Sequence, residues 1–270
     1  MAKLYHPLRG SCRKAPESSS EMRQTSPKSG SIVRTERGGI IYDADIFAEI
    51  SDAVFTPDHW PDSSAVRGGL RSSGRGNTSI VKGDEGEFVL RHFVRGGLIS
   101  RFVSDSYCWL GEAATRAFRE WRLLSELMEM EMPVPRPAAA RYIRSGLTYQ
   151  ADLLTVLIPG VISLSDRIAS LPCTDEFWQK LGQGIAPFHK AGVFHADLNA
   201  YNVQIDKDDK VWLVDFDRGS LRQPGKWQQQ NLARLHQSLQ KVKGLDPRLY
   251  YSEASWEQFL QGYFSSSRLA

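Results

Sequence analysis

From Ile32 onward the chain alternates short apolar runs with glycine-bearing turns, the two-residue period of half-buried strands. The runs IVRTERGGIIYD and NTSIVKGDEGEFVLRHFV, the second with a turn near Lys82–Gly86, predict an antiparallel sheet. Between Glu112 and Met130 the period changes. Ala113, Ala117, Phe118, Trp121, Leu124 and Leu127 recur near helical spacing among good helix formers, which predicts one long amphipathic helix. Pro133, Pro135 and Pro137 stop it, RYIRSGLTYQADLLTVLI supplies two further strands, and Pro159–Gly160 reads as a hinge. Helices are predicted beyond it around Ser163–Ser170, Asp175–Ala191, Gln228–Val242 and Ser255–Phe264. They are interrupted by one strand-rich segment, VFHADLNAYNVQIDKDDKVWLVDFDRG. The pattern divides the chain into residues 1–31, 32–158 and 159–270, and the fold class is α+β with no internal repeat.

Composition sharpens this division. With 270 residues and 41% hydrophobic content the chain can bury a large core without covalent staples. Residues 1–31, rich in Ser, Lys and Arg and carrying Pro7, Pro16 and Pro27, are expected to be a disordered basic leader. Residues 1–39 hold eight Lys/Arg against three Glu, so a net charge of +3 divides into a +5 tail and a body of about −2. Such a tail suits an anionic lipid surface. The near-neutral body gives no basic stripe for nucleic acid. Cys12, Cys108 and Cys173 stand far apart without ligand spacing, so neither a disulfide framework nor a zinc site is indicated, and a reducing cytoplasm is expected. No apolar run is long enough to span a bilayer, so membrane contact would be peripheral.

The chemistry concentrates in the strand-rich segment. Phosphoryl transfer asks for a carboxylate beside the attacking hydroxyl and for oxygen ligands that hold magnesium against the triphosphate. His195-Ala196-Asp197-Leu198, then Asn202, then an apolar strand ending at Asp215-Phe216-Asp217, present such groups at the ends of strands. The intervals, five residues from Asp197 to Asn202 and eighteen to Asp215, resemble the catalytic loop and metal segment of protein kinases. Asp197 is then the catalytic carboxylate, Asn202 and Asp215 are the metal ligands, and His195 organises the loop. Upstream, Gly74 and Gly76 precede the strand at Thr78, as a glycine-rich loop covering phosphates would. Arg91 takes the place of the nucleotide-binding lysine of the third strand, an exchange that keeps the charge and changes the geometry. Glu120 is its expected partner, and Glu112 remains an alternative. The resemblance implies a bilobal fold: an antiparallel-sheet N-lobe with one long helix, and a small, mainly helical C-lobe, with ATP and magnesium as cofactors.

Only 53 residues follow Asp217 and none form an APE-like segment, so a small-molecule acceptor fits better than a protein. The stretches VLRHFVRGGLISRFVSDSYCWLG, TRAFREWRLL, LTYQADLLTVLIPG, GVFHADLNAYNV and VWLVDFDRG together resemble the 3-deoxy-D-manno-octulosonic acid (Kdo) kinases, a lipopolysaccharide kinase family of Gram-negative bacteria, over roughly residues 32–262. That resemblance implies phosphorylation of the 4-hydroxyl of a Kdo sugar on a lipid A precursor, by a peripheral protein on the cytoplasmic side of the inner membrane. An anionic lipid acceptor would call for basic and aromatic groups near the site. Arg95, Arg101, Phe102, Tyr107 and Trp109 on one side, and Arg218, Arg222, Lys226 and Trp227 on the other, are expected to flank it. Asp217 is left open between a second ion and a contact to Arg218. A kinase for heptose or an aminoglycoside would use the same Asp-Asn-Asp set, and the arginine at position 91 leaves a membrane-associated pseudokinase as the reading from another class.

Overall fold

The computed structural model describes residues 30–65, 78–94 and 105–267. The expected leader falls almost wholly outside these residues, as do Gly74, Gly76, Arg95, Arg101 and Phe102.

The first half is an antiparallel sheet. Its strands are β1 (Ser31–Thr35), β2 (Gly38–Tyr42), β3 (Asp62–Ala65), β4 (Thr78–Gly83), β5 (Gly86–His92), β6 (Tyr107–Cys108), β7 (Pro137–Ser145) and β8 (Thr148–Val156). The order is β1-β2-β7-β8-β5-β4-β3, and β6 pairs with the start of β8. The β4–β5 hairpin turns between Gly83 and Gly86, the latter at φ 136°, a backbone that only glycine adopts without strain. Helix α1 (Arg116–Glu129) packs on one face of the sheet through Ala117, Phe118, Trp121, Leu124 and Leu127, the residues whose spacing predicts it. The opposite face is covered by the segment before β3, which the hydrophobic pattern did not resolve. Two short 3-10 turns, Asp52–Phe55 and Pro57–His59, help place Phe47, Phe55 and Trp60 against Phe88 in a second, smaller core.

The helix expected from Glu112 begins at Arg116. Glu112 opens a 3-10 turn, Glu112–Ala114, whose carbonyl receives the Thr115 hydroxyl at 2.8 Å. The Glu112 carboxylate is held away from the helix axis by Arg34 and by the Tyr142 hydroxyl at 3.0 Å.

The second half is mainly helical: α2 (Leu164–Ser170), α3 (Asp175–Lys190), α4 (Trp227–Leu245) and α5 (Glu253–Ser267). Ser163 and Thr174 cap α2 and α3 by accepting from backbone N–H groups, as serine and threonine at helix starts do. Helices α3 and α5 cross where Gly182 faces the Phe259 carbonyl and Gly262 faces the Gln179 carbonyl, so close that a Cβ at either place would strike backbone. Five short strands, β9 (Ile162–Ser163), β10 (Val193–Phe194), β11 (Val203–Ile205), β12 (Val211–Leu213) and β13 (Ser220–Leu221), form two small sheets, β12-β11-β9 and β10-β13. One apolar core runs without a break from Ile41 and Leu153 in the large sheet through α1 to Leu181, Leu213 and Phe259. Among the described residues no helix is long and apolar enough to cross a membrane.

Candidate active site

The β11–β12 hairpin builds the centre of the site. Val203 pairs with Leu213 and Ile205 with Val211, so the residues just outside the open end, Asn202 and Asp215, come together although thirteen positions separate them. The closed end is set by Asp206, whose carboxylate accepts from the Asp208 and Lys210 backbone N–H groups and from the Trp212 indole. The Val214 N–H donates to the Asn202 carbonyl at 3.1 Å and closes the open end. Asp215 then leaves the strand at φ 65°, a left-handed conformation uncommon outside glycine and one that concentrates at functional sites.

The loop ahead of the hairpin is braced by side chains. His195 is 1% exposed. The Asp197 N–H donates to its Nδ1 at 3.2 Å, which leaves Nε2–H to donate to the Val214 carbonyl at 3.0 Å. Burial pushes this imidazole below its usual range, against the Val214 carbonyl and nearby carboxylates, so it is a neutral strut between the loop and the end of β12. That is the loop-organising role expected for it. The Asn199 carboxamide oxygen accepts from the Tyr201 and Asn202 N–H groups, while Asn199 and Asn202 both donate their amide N–H to the Asp197 carbonyl. Asn202 therefore spends a side-chain N–H on the loop and keeps its carboxamide oxygen for another partner.

Arg91 on β5 reaches down to both carboxylates: one nitrogen pairs with Glu120 of α1, the other with Asp215. The two carboxylates thus hold the fork across its ends, with the guanidinium 4.6 Å from the centroid of the Phe93 ring. Burial works against the charge of Arg91, but the two carboxylates outweigh it and raise its pKa. Burial likewise drives the Glu120 carboxyl up to about 7, only partly offset by Arg91 and by the Phe216 N–H, which donates to Glu120 at 3.0 Å. Glu112, the alternative partner, lies with Arg34 instead.

These groups close one end of a cavity of about 400 Å³ between the sheet and the hairpin. Its walls are apolar, with Ile80, Val89, Leu153 and Leu157 among them, and Thr78 lies at its edge. The volume and lining suit a nucleotide base and sugar, with the polar end placed for phosphates. The donor set at that end also suits magnesium. Among the described residues no three His, Cys, Asp or Glu side chains cluster as a metal cage. Magnesium takes few protein ligands and completes its shell with phosphates and water, and Asn202 and Asp215 offer one neutral and one anionic oxygen donor on the same cavity.

Three further placements bear on the acceptor side. Asp217 pairs with Arg116 at the first turn of α1, whose Nε donates to it at 2.7 Å. Arg116 is in turn stacked over the Tyr107 ring at 4.6 Å, so Tyr107, expected beside the acceptor, is a buried support. Trp227 is likewise buried, edge-on to His189 and Phe194, while Arg218, Arg222 and Lys226 are exposed as expected. Finally, Asp197 accepts a hydrogen bond at 3.1 Å from Arg234 of α4, a residue the hydrophobic pattern left on a featureless helix.

With a cavity between the sheet and the open end of a short hairpin, the chain falls among the phosphotransferases of protein-kinase-like fold that act on hydroxyl groups. More narrowly, the chain belongs to the lipopolysaccharide kinase (Kdo/WaaP) family, whose model matches residues 60–263. It is 42% identical over 208 residues to proteins named 3-deoxy-D-manno-octulosonic acid kinase from Xanthomonas campestris pv. campestris (strain B100), Stenotrophomonas maltophilia (strain K279a) and Xanthomonas oryzae pv. oryzae (strain PXO99A). Each alignment covers 77% of this chain and 82% of the relative.

Proposed function

We propose that the chain transfers the γ-phosphoryl group of ATP to the 4-hydroxyl of a Kdo sugar on a lipid A precursor, as a peripheral protein on the cytoplasmic side of the inner membrane. Asn202 and Asp215 on the cavity wall, with the loop of Asp197 tied to Asn202 through the Asp197 carbonyl, carry this reading, and the naming of relatives at 42% identity supports the choice of acceptor. Asp197 orients the sugar hydroxyl and takes its proton, with the loop fixed from behind by His195. Arg91, held by Glu120 and Asp215, steadies the phosphates, and Gly74 and Gly76 are assigned to the same phosphates ahead of Thr78. Magnesium held by Asn202 and Asp215 would supply charge neutralisation on the triphosphate. The division at Pro159–Gly160 into an N-lobe, 32–158, and a C-lobe, 159–270, belongs to the same proposal. Gly160 is exposed at φ 68° and able to absorb a change of backbone angle.

The test is phosphate transfer from labelled ATP with magnesium, using a Kdo-bearing lipid A precursor beside the same precursor lacking Kdo. Label is expected only in the Kdo-bearing acceptor, and transfer to neither would reject the acceptor assignment. Asp197→Ala is expected to lower kcat by several orders of magnitude with nucleotide binding retained. Turnover at the wild-type rate would remove Asp197 from the chemistry.

A further inference from the structure

Helix α4 runs alongside the catalytic loop and touches it in register. Asn231 meets His195, Arg234 meets Asp197, and the Ser238 hydroxyl accepts from the Ala200 N–H at 3.1 Å. Spacings of three and four put these side chains on one face of the helix. Asn231 is buried and serves the backbone. Arg234 differs. Its side chain is 54% exposed and reaches Asp197, itself 40% exposed, through a single nitrogen at 3.1 Å. An ion pair that open adds little to stability, and Asn231 and Ser238 already hold the loop without it.

The position of this cation matters more than its strength. It stands beside the carboxylate that the acceptor hydroxyl must approach, whereas the buried cations of the site are committed elsewhere: Arg91 to Glu120 and Asp215, Arg116 to Asp217. A guanidinium presents five N–H donors in a planar fork, so one that gives a single N–H to Asp197 has a second edge matched to another carboxylate. An acidic acceptor entering here would otherwise set its own negative charge beside Asp197.

We propose that Arg234 is a specificity-determining residue that binds the carboxylate of an acidic sugar acceptor, bridging it to Asp197 so that the hydroxyl to be phosphorylated faces the catalytic carboxylate. The inference rests on the acceptor reading above and deepens it: a neutral sugar has no group that could use this contact.

The experiment compares two acceptors, the Kdo-bearing lipid A precursor and the same precursor with the Kdo carboxylate converted to its neutral, near-isosteric carboxamide. The enzymes are wild type, Arg234→Met and Arg234→Lys, each checked for an unchanged melting temperature as an exposed site predicts. Wild type is expected to favour the acid over the amide by about 10- to 100-fold in kcat/KM, the range for one charge-assisted pair. Arg234→Met should collapse the ratio to within about threefold, chiefly through acceptor KM and with ATP KM unchanged, and Arg234→Lys, which keeps charge without the fork, should fall between. A preference for the acid that survives in Arg234→Met overturns the inference. So does an equal loss on both acceptors with a raised ATP KM, which would place Arg234 on the nucleotide phosphates. Wild type inactive on the Kdo-bearing acceptor overturns the acceptor reading and this inference together.

Discussion

Replacing Asn231 with Leu isolates what α4 does for the loop of residues 195–202. Asn231 is 2% exposed, its carboxamide oxygen accepts from the His195 N–H at 3.1 Å, and its amide donates to the His195 carbonyl at 2.9 Å. Leucine matches the volume and offers neither group. Each lost bond carries a net contribution of about 1 kcal/mol, and each buried backbone group left unpaired costs about 1–3 kcal/mol. The two together give a destabilisation of about 4 kcal/mol. For a chain of this length, at about 2–4 °C per kcal/mol, the melting temperature should fall by about 8–16 °C. Asn231→Asp keeps the acceptor but buries a carboxylate against the His195 carbonyl, so it should cost at least as much. At temperatures where the variant is folded, a loop displaced by about 1 Å should lower kcat by about 100-fold while ATP KM stays put, because the cavity walls do not involve α4. Thermal melts followed by circular dichroism and steady-state phosphate transfer read both effects. A melting temperature within 2 °C of wild type together with an unchanged kcat would refute the view that α4 splints the loop.

Other parts of the fold give sharper tests of stability. His189, buried against Tyr263 and Trp227, is held down to about 4, by burial first and by His195, with an Asn231 contact opposing. Because its folded pKa lies below the unfolded value of about 6.5, stability is complete above pH 6.5 and should fall by about 3 kcal/mol between pH 6.5 and 4. His189→Asn should flatten the urea-unfolding profile across that window, and an identical slope would exclude His189 as its source. Gly182→Ala on α3 improves helix propensity by about 1 kcal/mol yet drives a methyl into the Phe259 carbonyl of α5, so a net loss of about 1–3 kcal/mol is expected, and a raised melting temperature would show that the crossing can give. Asp43→Ala leaves Arg136, 14% exposed and paired to Asp43 at 2.6 Å, with only the exposed Asp45 carboxylate at 3.8 Å as counter-ion, and should cost about 3 kcal/mol, a result that a denaturation midpoint unchanged from wild type would contradict.

The sheet, α1 and the hairpin site were readable along the chain for a physical reason. Strand and helix periods mark which residues face a core, and the intervals from Asp197 singled out Asn202 and Asp215 at strand ends, while the pairing of β11 with β12 that brings these two together is seen only in the structure. The start of α1 was not readable, because Glu112 and Ala113 fit a helix and only Arg34 and Tyr142, distant in sequence, draw Glu112 out of it. Tyr107 and Trp227 looked like exposed aromatics beside an acceptor and proved to be core, since an aromatic in a basic stretch gives no sign of which side it faces. The partners of α4 were the least visible. Asn231, Arg234 and Ser238 read as a solvated helix face, and their contacts reach 36 to 38 residues back. A buried asparagine at helical spacing from a serine was the one signal available, and it surfaces only when burial is known.

Helix α1 is fastened to the Asp215–Asp217 segment at two levels: Glu120 receives the Phe216 N–H beside the Arg91 fork, and Arg116, one helical turn earlier, grips Asp217. Swinging α1 outward would break both attachments and strip Arg91 of a counter-ion in a buried setting, so the two move as one piece or not at all. Both anchors would have to be cut together before α1 could part from this segment.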